Sequence, residues 1–298
     1  MYAIGMDVGG TNLKAGLVRE DGTILRTAHR PLQFRTGEDF AETLAELGTE
    51  VMGEVPLREI AFAGIGIPGA VDGGTVLYAE NIPLRDLPLE KLFRRYLDLP
   101  VFLANDADCA AAGEYLCGCG RGTRNFVLVT LGTGIGGGLI LGGKLYRGRC
   151  CAGEVGCMVI DGTSGSWETF GSATGLIHLA ETARASAPDS RLWQEKLNGQ
   201  TIFEAAQQQD AAALEAVREY VRCLGVGLTN LADLLMPDRI AIGGGVSAAP
   251  EQLLLEPVRK YVNEHCYSRN VGRYTPIFTA ELGNDAGIVG AALIQRLM

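Results

Sequence analysis

A chain of 298 residues, 47% hydrophobic and 20% charged, has the length of two ordinary domains and ample apolar material for their cores. Its net charge of −9, with a pI near 5.0, argues against a phosphate-backbone partner, so no nucleic acid is expected. The opening "MYAIGMDVGG" carries no basic or apolar leader and no run approaches about 18 uninterrupted apolar residues, so neither export nor membrane insertion is expected, and the eight cysteines read as reduced thiols of a cytoplasmic protein.

In chain order, "YAIGMDVGG", "NLKAGLVRE" and "TILRTAHRP" predict three short strands separated by Gly-containing turns. "GEDFAETLAELGTEVMGEV" spaces Phe40, Leu44, Leu47 and Val51 as an amphipathic helix does. "EIAFAGIGIPG" suits a strand buried on both faces. "LPVFLANDADCAAAGEYLCG" reads as a strand that breaks at Asn105-Asp106 and becomes an alanine-rich helix.

The second half repeats that order. "NFVLVTLGTGIGGG", "GLILGG" and "KLYRG" are again strands joined by glycine turns, and a helical region over 168–236 is broken near Pro188 and Asn198-Gly199. "RIAIGGGVS" predicts a buried strand, "PEQLLLEPVRKYVNEHC" a helix, "TPIFTAEL" a strand and "NDAGIVGAALIQRLM" a closing helix. The pattern is two copies of one β-β-β-α-β-α plan with a cleft between them, alike in element order and not in residue identity. The Gly-rich "GCGRGTRN" fits a boundary, giving domains over 1–115 and 116–284, with the closing helix 285–298 packing back on the first.

Glycine, at 41 residues, clusters in the turns. In "MDVGGTNLKAG", Gly9 and Gly10 let backbone amides approach a phosphate, Thr11 and Asn12 add side-chain donors, and Lys14 adds charge. Asp7 is placed to orient a hydrated Mg²⁺. A plain Gly-rich hairpin fits the same residues. A second hairpin of the same plan holds Gly132, Thr133, Gly134 and Gly136, and two such turns would grip one polyphosphate from both sides. There is no G-x-x-x-x-G-K-[ST], and G-x-G-x-x-G opens a strand here, which excludes the Walker and Rossmann loops. Gly244 and Gly245, within the third cluster at 243–245, would let an adenine or ribose lie against backbone.

Asn105 and Asp106 stand where a strand gives way to a helix, the usual ligand position in open α/β sheets. A carboxylate there accepts the proton of an attacking hydroxyl while the amide directs it; the position also suits Asp106 as a helix N-cap. In "GEVGCMVIDGTSGSWE", Glu154 and Glu168 bracket turn residues with no cation between them, so that they would hold a metal, a proton or a row of hydroxyls. Glu168 also suits a helix first turn. The pairs Cys117/Cys119 and Cys150/Cys151 fit small buried thiols or a soft metal.

The segments "GMDVGGTNLKAGLV", "GIGIPGAVD", "ANDADCAAAGE", "TLGTGIGGGLILGGKLYRG", "AGEVG" and "AIGGGVS" follow one another over nearly the whole chain. Together they resemble the ROK family of repressors and sugar kinases, within the actin-like ATPase superfamily. The resemblance implies an α/β fold of two actin-like (ribonuclease H-like) domains, with MgATP and a sugar in the interdomain cleft. It implies Asp106 as catalytic base, Asn105, Glu154 and Glu168 as sugar ligands, Gly69 and Asn81 as further sugar contacts, and a homodimer. The implied reaction is phosphorylation of a sugar hydroxyl by ATP, at O6 of glucose by default, with N-acetylhexosamines, fructose and allose as alternatives and a catalytically idle sugar-binding relative as another. A sugar-sensing repressor is not expected, since the first hairpin starts at Gly5 and the charge is wrong for DNA. The family's zinc motif is absent: its His position is Cys157, and "MVIDGTSGSWE" has no cysteine, so no zinc site is expected.

Overall fold

The computed structural model describes residues 1–79, 82–160, 162 and 165–298. Strands β1 (Tyr2–Val8), β2 (Asn12–Arg19) and β3 (Ile24–Pro31) form the expected antiparallel meander, with Asp7 opposite Lys14. On its other side β1 pairs in parallel with β4 (Ile60–Ile67), which pairs in parallel with β8 (Val101–Asn105). The sheet order is thus β3-β2-β1-β4-β8. Helix α1 (Gly37–Met52) is capped by Thr36, whose side chain accepts from the Asp39 amide, and buries the four predicted apolar positions against the sheet residues Ile4, Met6, Leu13 and Ile65.

Between β4 and β8 lies a small sheet that the pattern did not reveal, β5 (Gly69–Asp72), β6 (Thr75–Ala79) and β7 (Arg85–Leu87), followed by α2 (Leu89–Phe93). Strands of three to five residues are too short to establish an alternation. Helix α3 (Asp106–Cys117) leaves the end of β8.

The second sheet has the same plan. Strands β9 (Phe126–Leu131), β10 (Ile135–Leu141) and β11 (Lys144–Leu145) are followed, after the helices, by β12 (Arg239–Gly243) and β13 (Ile277–Thr279), in the order β11-β10-β9-β12-β13. The protein is therefore mixed α/β with two five-stranded sheets of equivalent topology. The helical region resolves into α4 (Trp167–Gly171), α5 (Ala173–Ala185), α6 (Gly199–Gln207) and α7 (Ala211–Leu235). Besides the two foreseen breaks, the chain turns at 208–210, where Asp210 caps α7 by accepting from the Ala213 amide.

The helix expected from Pro250 begins instead at Leu255, giving α8 (Leu255–His265). Pro257 is the reason: it is tolerated in a first turn, where its missing amide is needed by no partner, and not in a helix interior. The closing helix α9 (Ala286–Leu293) ends sooner than expected, in a 3₁₀ turn over Ile294–Leu297.

Contacts group the chain into two compact units, residues 1–128, 138–153 and 281–298 in one and residues 129–137 and 154–280 in the other. Within the first, α9 lies on α3 and the sheet with almost no side chain between. A Cβ on Gly290 would stand 1.6 Å from the Cys109 carbonyl oxygen, and one on Gly64 1.8 Å from that of Ala291. The fully buried Glu114 accepts from the amides of Cys119 and Leu282, tying the end of α3 to the segment that leads into α9. This packing holds the start of α3 against the ends of β4 and β8.

Candidate active site

At the β8–α3 junction the cap belongs to Asn105, not to Asp106. The Asn105 side-chain oxygen accepts from the Ala107 amide at 2.8 Å and the Asp108 amide at 3.4 Å, and its Nδ2 donates to the Gly69 carbonyl at 3.2 Å. Asp106 is the first helical residue, half-buried, and its Oδ1 accepts from the Ala107 amide. Gly69 has no room for a side chain, because a Cβ would meet the Tyr78 carbonyl oxygen at 2.1 Å where β5 pairs with β6. The small sheet thus presents the carbonyl that orients the Asn105 amide. Asn81 lies outside the described residues.

Two residues of this region were not foreseen. Asp108 is 3% exposed, Arg147 Nε lies 4.0 Å from its Oδ2, and Arg147 Nη2 donates to the Val71 carbonyl. The second acid of "DAD" was the only sequence signal for this pair, and nothing in it indicated a cation some forty residues on.

In the β1–β2 turn the Gly9 amide donates to the Asn12 carbonyl, the Asn12 side-chain amide donates to Thr11 Oγ1, and the Thr11 carbonyl accepts from Leu32. Gly10 is exposed, with open space where a Cβ would stand. Behind the turn, burial pushes the Asp7 carboxyl above its ordinary pKa, and Lys14 opposes that shift. Gly287, in the first turn of α9, passes so close that a Cβ there would lie 3.0 Å from Asp7 Cγ. A desolvated carboxylate beside a Gly-rich turn suits a divalent cation, whose charge would offset the burial.

The second unit contributes the β9–β10 turn. The Gly132 amide donates to the Gly134 carbonyl, Ala173 at the start of α5 donates to the Gly132 carbonyl at 2.8 Å, and Thr174 Oγ1 donates to that of Thr133 at 2.9 Å. All three carbonyls are occupied, while the amides of Thr133 and Gly134 carry no hydrogen bond among the described contacts. Amides without a partner in a glycine turn suit an anion site. Gly136 stands in β10 and not in the turn.

Ile135, the first residue of β10, organises both glutamate segments. Its amide donates to Glu168 Oε2 at 3.2 Å, and a Cβ on Gly156 would lie 2.3 Å from its carbonyl oxygen. Glu168 follows Trp167, which is fully buried, donates its indole N–H to the Cys223 carbonyl at 3.0 Å, and packs its ring where a Gly227 side chain would otherwise stand. Glu154 is exposed and precedes a one-turn 3₁₀ helix over Val155–Cys157, with Cys157 also exposed. Among the described residues no three His, Cys, Asp or Glu side chains gather as a metal-binding group.

Beside the turn is a cavity of about 610 Å³, lined by Gly132, Thr133, Gly245 and Val246 and by Phe203 and Gln207 of α6. That size accommodates a nucleoside. Gly245 meets nothing within 4 Å at its Cβ position, whereas Gly244, at φ 82°, is required by the chain itself, since a Cβ would clash with the Leu131 carbonyl oxygen at 2.4 Å. The part played by α6 could not be read from its sequence, which has no phosphate or base motif.

The chain is similar to known proteins over nearly its whole length. Glucokinase of Streptomyces coelicolor is 38% identical over 98% of this chain and 97% of its own. The crystal structure of a ROK family glucokinase from Streptomyces griseus in complex with glucose and AMPPNP superposes with a TM-score of 0.82 at 36% identity, over 98% of each chain. The xylose repressor of Bacillus subtilis is 28% identical over 98% of this chain and 76% of its own. The model of the ROK family matches residues 3–297, and the chain belongs to that family.

Proposed function

We propose that this protein is a sugar kinase that transfers the γ-phosphoryl group of ATP to a hexose hydroxyl, with O6 of glucose as the first substrate to test. The observation that carries the reading is the division of labour at the β8–α3 junction. Asn105 performs the structural task of capping α3, and the carboxylate beside it, at the carboxyl end of β8, the parallel strand that closes the sheet beside β4, is assigned the chemistry. The relatives named glucokinase, and the glucose and AMPPNP bound to the Streptomyces griseus enzyme, support the same substrates here.

Phosphoryl transfer of this kind depends mainly on positioning and on charge stabilisation. Asp106 accepts the proton of the attacking hydroxyl, and Asn105, its amide aligned by the Gly69 carbonyl, directs that hydroxyl. Glu154 and Glu168 accept hydrogen bonds from the remaining sugar hydroxyls. The base and ribose of ATP occupy the cavity beside α6, and the amides of the Gly9–Asn12 and Gly132–Gly134 turns meet its phosphates. A magnesium ion oriented by Asp7 would neutralise phosphate charge.

The test is sugar-dependent ADP release with MgATP over a panel of hexoses, ketohexoses and N-acetylhexosamines, with Asp106→Ala as the blank. Turnover on one sugar, lost in the variant, is the expected outcome. Near-normal turnover by Asp106→Ala overturns the assignment of the base, and silence across the panel from protein that binds ATP favours a catalytically idle relative. A sugar-sensing repressor is disfavoured by the net charge of −9.

A further inference from the structure

Glu168 touches the turn assigned above to the nucleotide phosphates. Its Oε2 accepts from the Ile135 amide at 3.2 Å, and the same oxygen lies 2.5 Å from where a Cβ on Gly134 would stand. Among the described residues Oε1 has no partner, so one oxygen faces the turn and the other remains for a ligand. The backbone that carries the carboxylate is fixed: Trp167, the preceding residue, is wedged over Gly227 and held by the Cys223 carbonyl. The turn is pinned as firmly, by Ala173 and Thr174 of the helix that follows α4. Turn and carboxylate are thus joined through a single amide-to-carboxylate hydrogen bond.

We infer that Glu168 couples the two substrate sites, one oxygen taking sugar hydroxyls and the other reporting to the Gly134–Ile135 turn that meets the phosphates. Gly134 is a positioning residue in this arrangement, and its missing side chain is the space the Glu168 carboxylate occupies. Phosphate held on the turn amides fixes the Ile135 amide more tightly, and with it the orientation of the carboxylate that accepts from the sugar. Thermodynamic reciprocity then requires sugar to tighten nucleotide by the same factor. The inference rests on the sugar-kinase reading.

Gly134→Ala isolates the link. The Gly134 backbone is not in the left-handed region, so alanine fits its conformation, and the atom that must yield is the end of the flexible Glu168 side chain. Calorimetric titration of glucose and of a non-hydrolysable ATP analogue, each alone and each with the other bound, measures the coupling. Wild-type protein is expected to show mutual tightening of about fivefold or more. In Gly134→Ala the sugar affinity should fall about tenfold and the coupling factor should collapse toward one, as loss of a charge-assisted hydrogen bond predicts. Glu168→Gln should show the same two losses, and the double variant should be no worse than Glu168→Gln alone.

Two results would overturn the inference by itself: Gly134→Ala that weakens nucleotide but keeps wild-type sugar affinity and coupling, or losses that add in the double variant. Wild-type protein that binds nucleotide but none of the panel sugars overturns the kinase reading, and this inference with it.

Discussion

Asp106 and Asn105 are adjacent and chemically similar, and substitution should separate them by stability: both changes lower activity, and only the loss of Asn105 weakens the fold. Asp106→Ala leaves the helix cap intact and removes the proposed base, so kcat should fall by about a hundred- to ten-thousand-fold with little change in thermal stability. Asn105→Ala removes the cap and the bond to Gly69, and should cost about 1 kcal/mol in chemical denaturation besides lowering activity. Asp7 supplies a pH signature. Burial raises its pKa in the folded protein, so the native state disfavours the ionised form and stability falls as pH rises through that value. Asp7→Asn should therefore melt higher than wild type at pH 7, with the gain vanishing below about pH 4, where the acid is protonated in both states. The same variant should be catalytically impaired, since the charge that destabilises the fold is the one assigned to orient magnesium. A variant that melts no higher at pH 7 would remove the case for a functional charge.

At the scale of elements, the site depends on close backbone approach. Helix α3 holds Asp106 because α9 presses on it through Gly290 and Gly113, whose Cβ positions fall 1.6 Å and 2.4 Å from carbonyl oxygens of the facing helix. Gly290→Ala cannot be relieved by a rotamer change. It should destabilise by about 1–3 kcal/mol in urea, with a loss of activity that a surface Gly→Ala would not show. In the second unit the sequence lacks the cysteines that would build a zinc clasp, and Trp167 anchors the segment ahead of Glu168 by its ring and its indole N–H. Trp167→Phe loses the indole N–H and part of the ring that fills this fully buried space. It should leave the Cys223 carbonyl one bond poorer and a cavity behind, lower stability by about 2–4 kcal/mol and raise the sugar KM more than it lowers kcat.

For the molecule as a whole, ligand binding is the available readout of the proposed two-substrate function. A non-hydrolysable ATP analogue at a hundred times its Kd should stabilise the native state by about 2.7 kcal/mol, seen as a rise in melting temperature. Glucose added on top should raise it further by more than glucose alone does, if the sites are coupled. In the proposed site the nucleotide's negative charge would be met by oriented amides, Lys14 and a divalent ion, so the stabilisation should shrink when magnesium is withheld.

The duplicated plan was readable from the chain because its carriers are local: strand-length apolar runs, the spacing of Phe40, Leu44, Leu47 and Val51, and glycines placed where turns require them. The family was readable for a similar reason, its motifs being short and in order. The β5–β7 sheet, the true start of α8 and the true end of α9 were not, since short strands carry no period and a helix boundary depends on what it packs against. The cap at Asn105, the Asp108–Arg147 pair, the cavity beside α6 and the bond from Ile135 to Glu168 each join residues that are indistinguishable from ordinary turn, surface or strand positions until the chain is folded. Residue type and local spacing determine which chemistry the chain can carry; which oxygen of which carboxylate performs it is decided by neighbours tens of residues away, and those only the tertiary structure supplies.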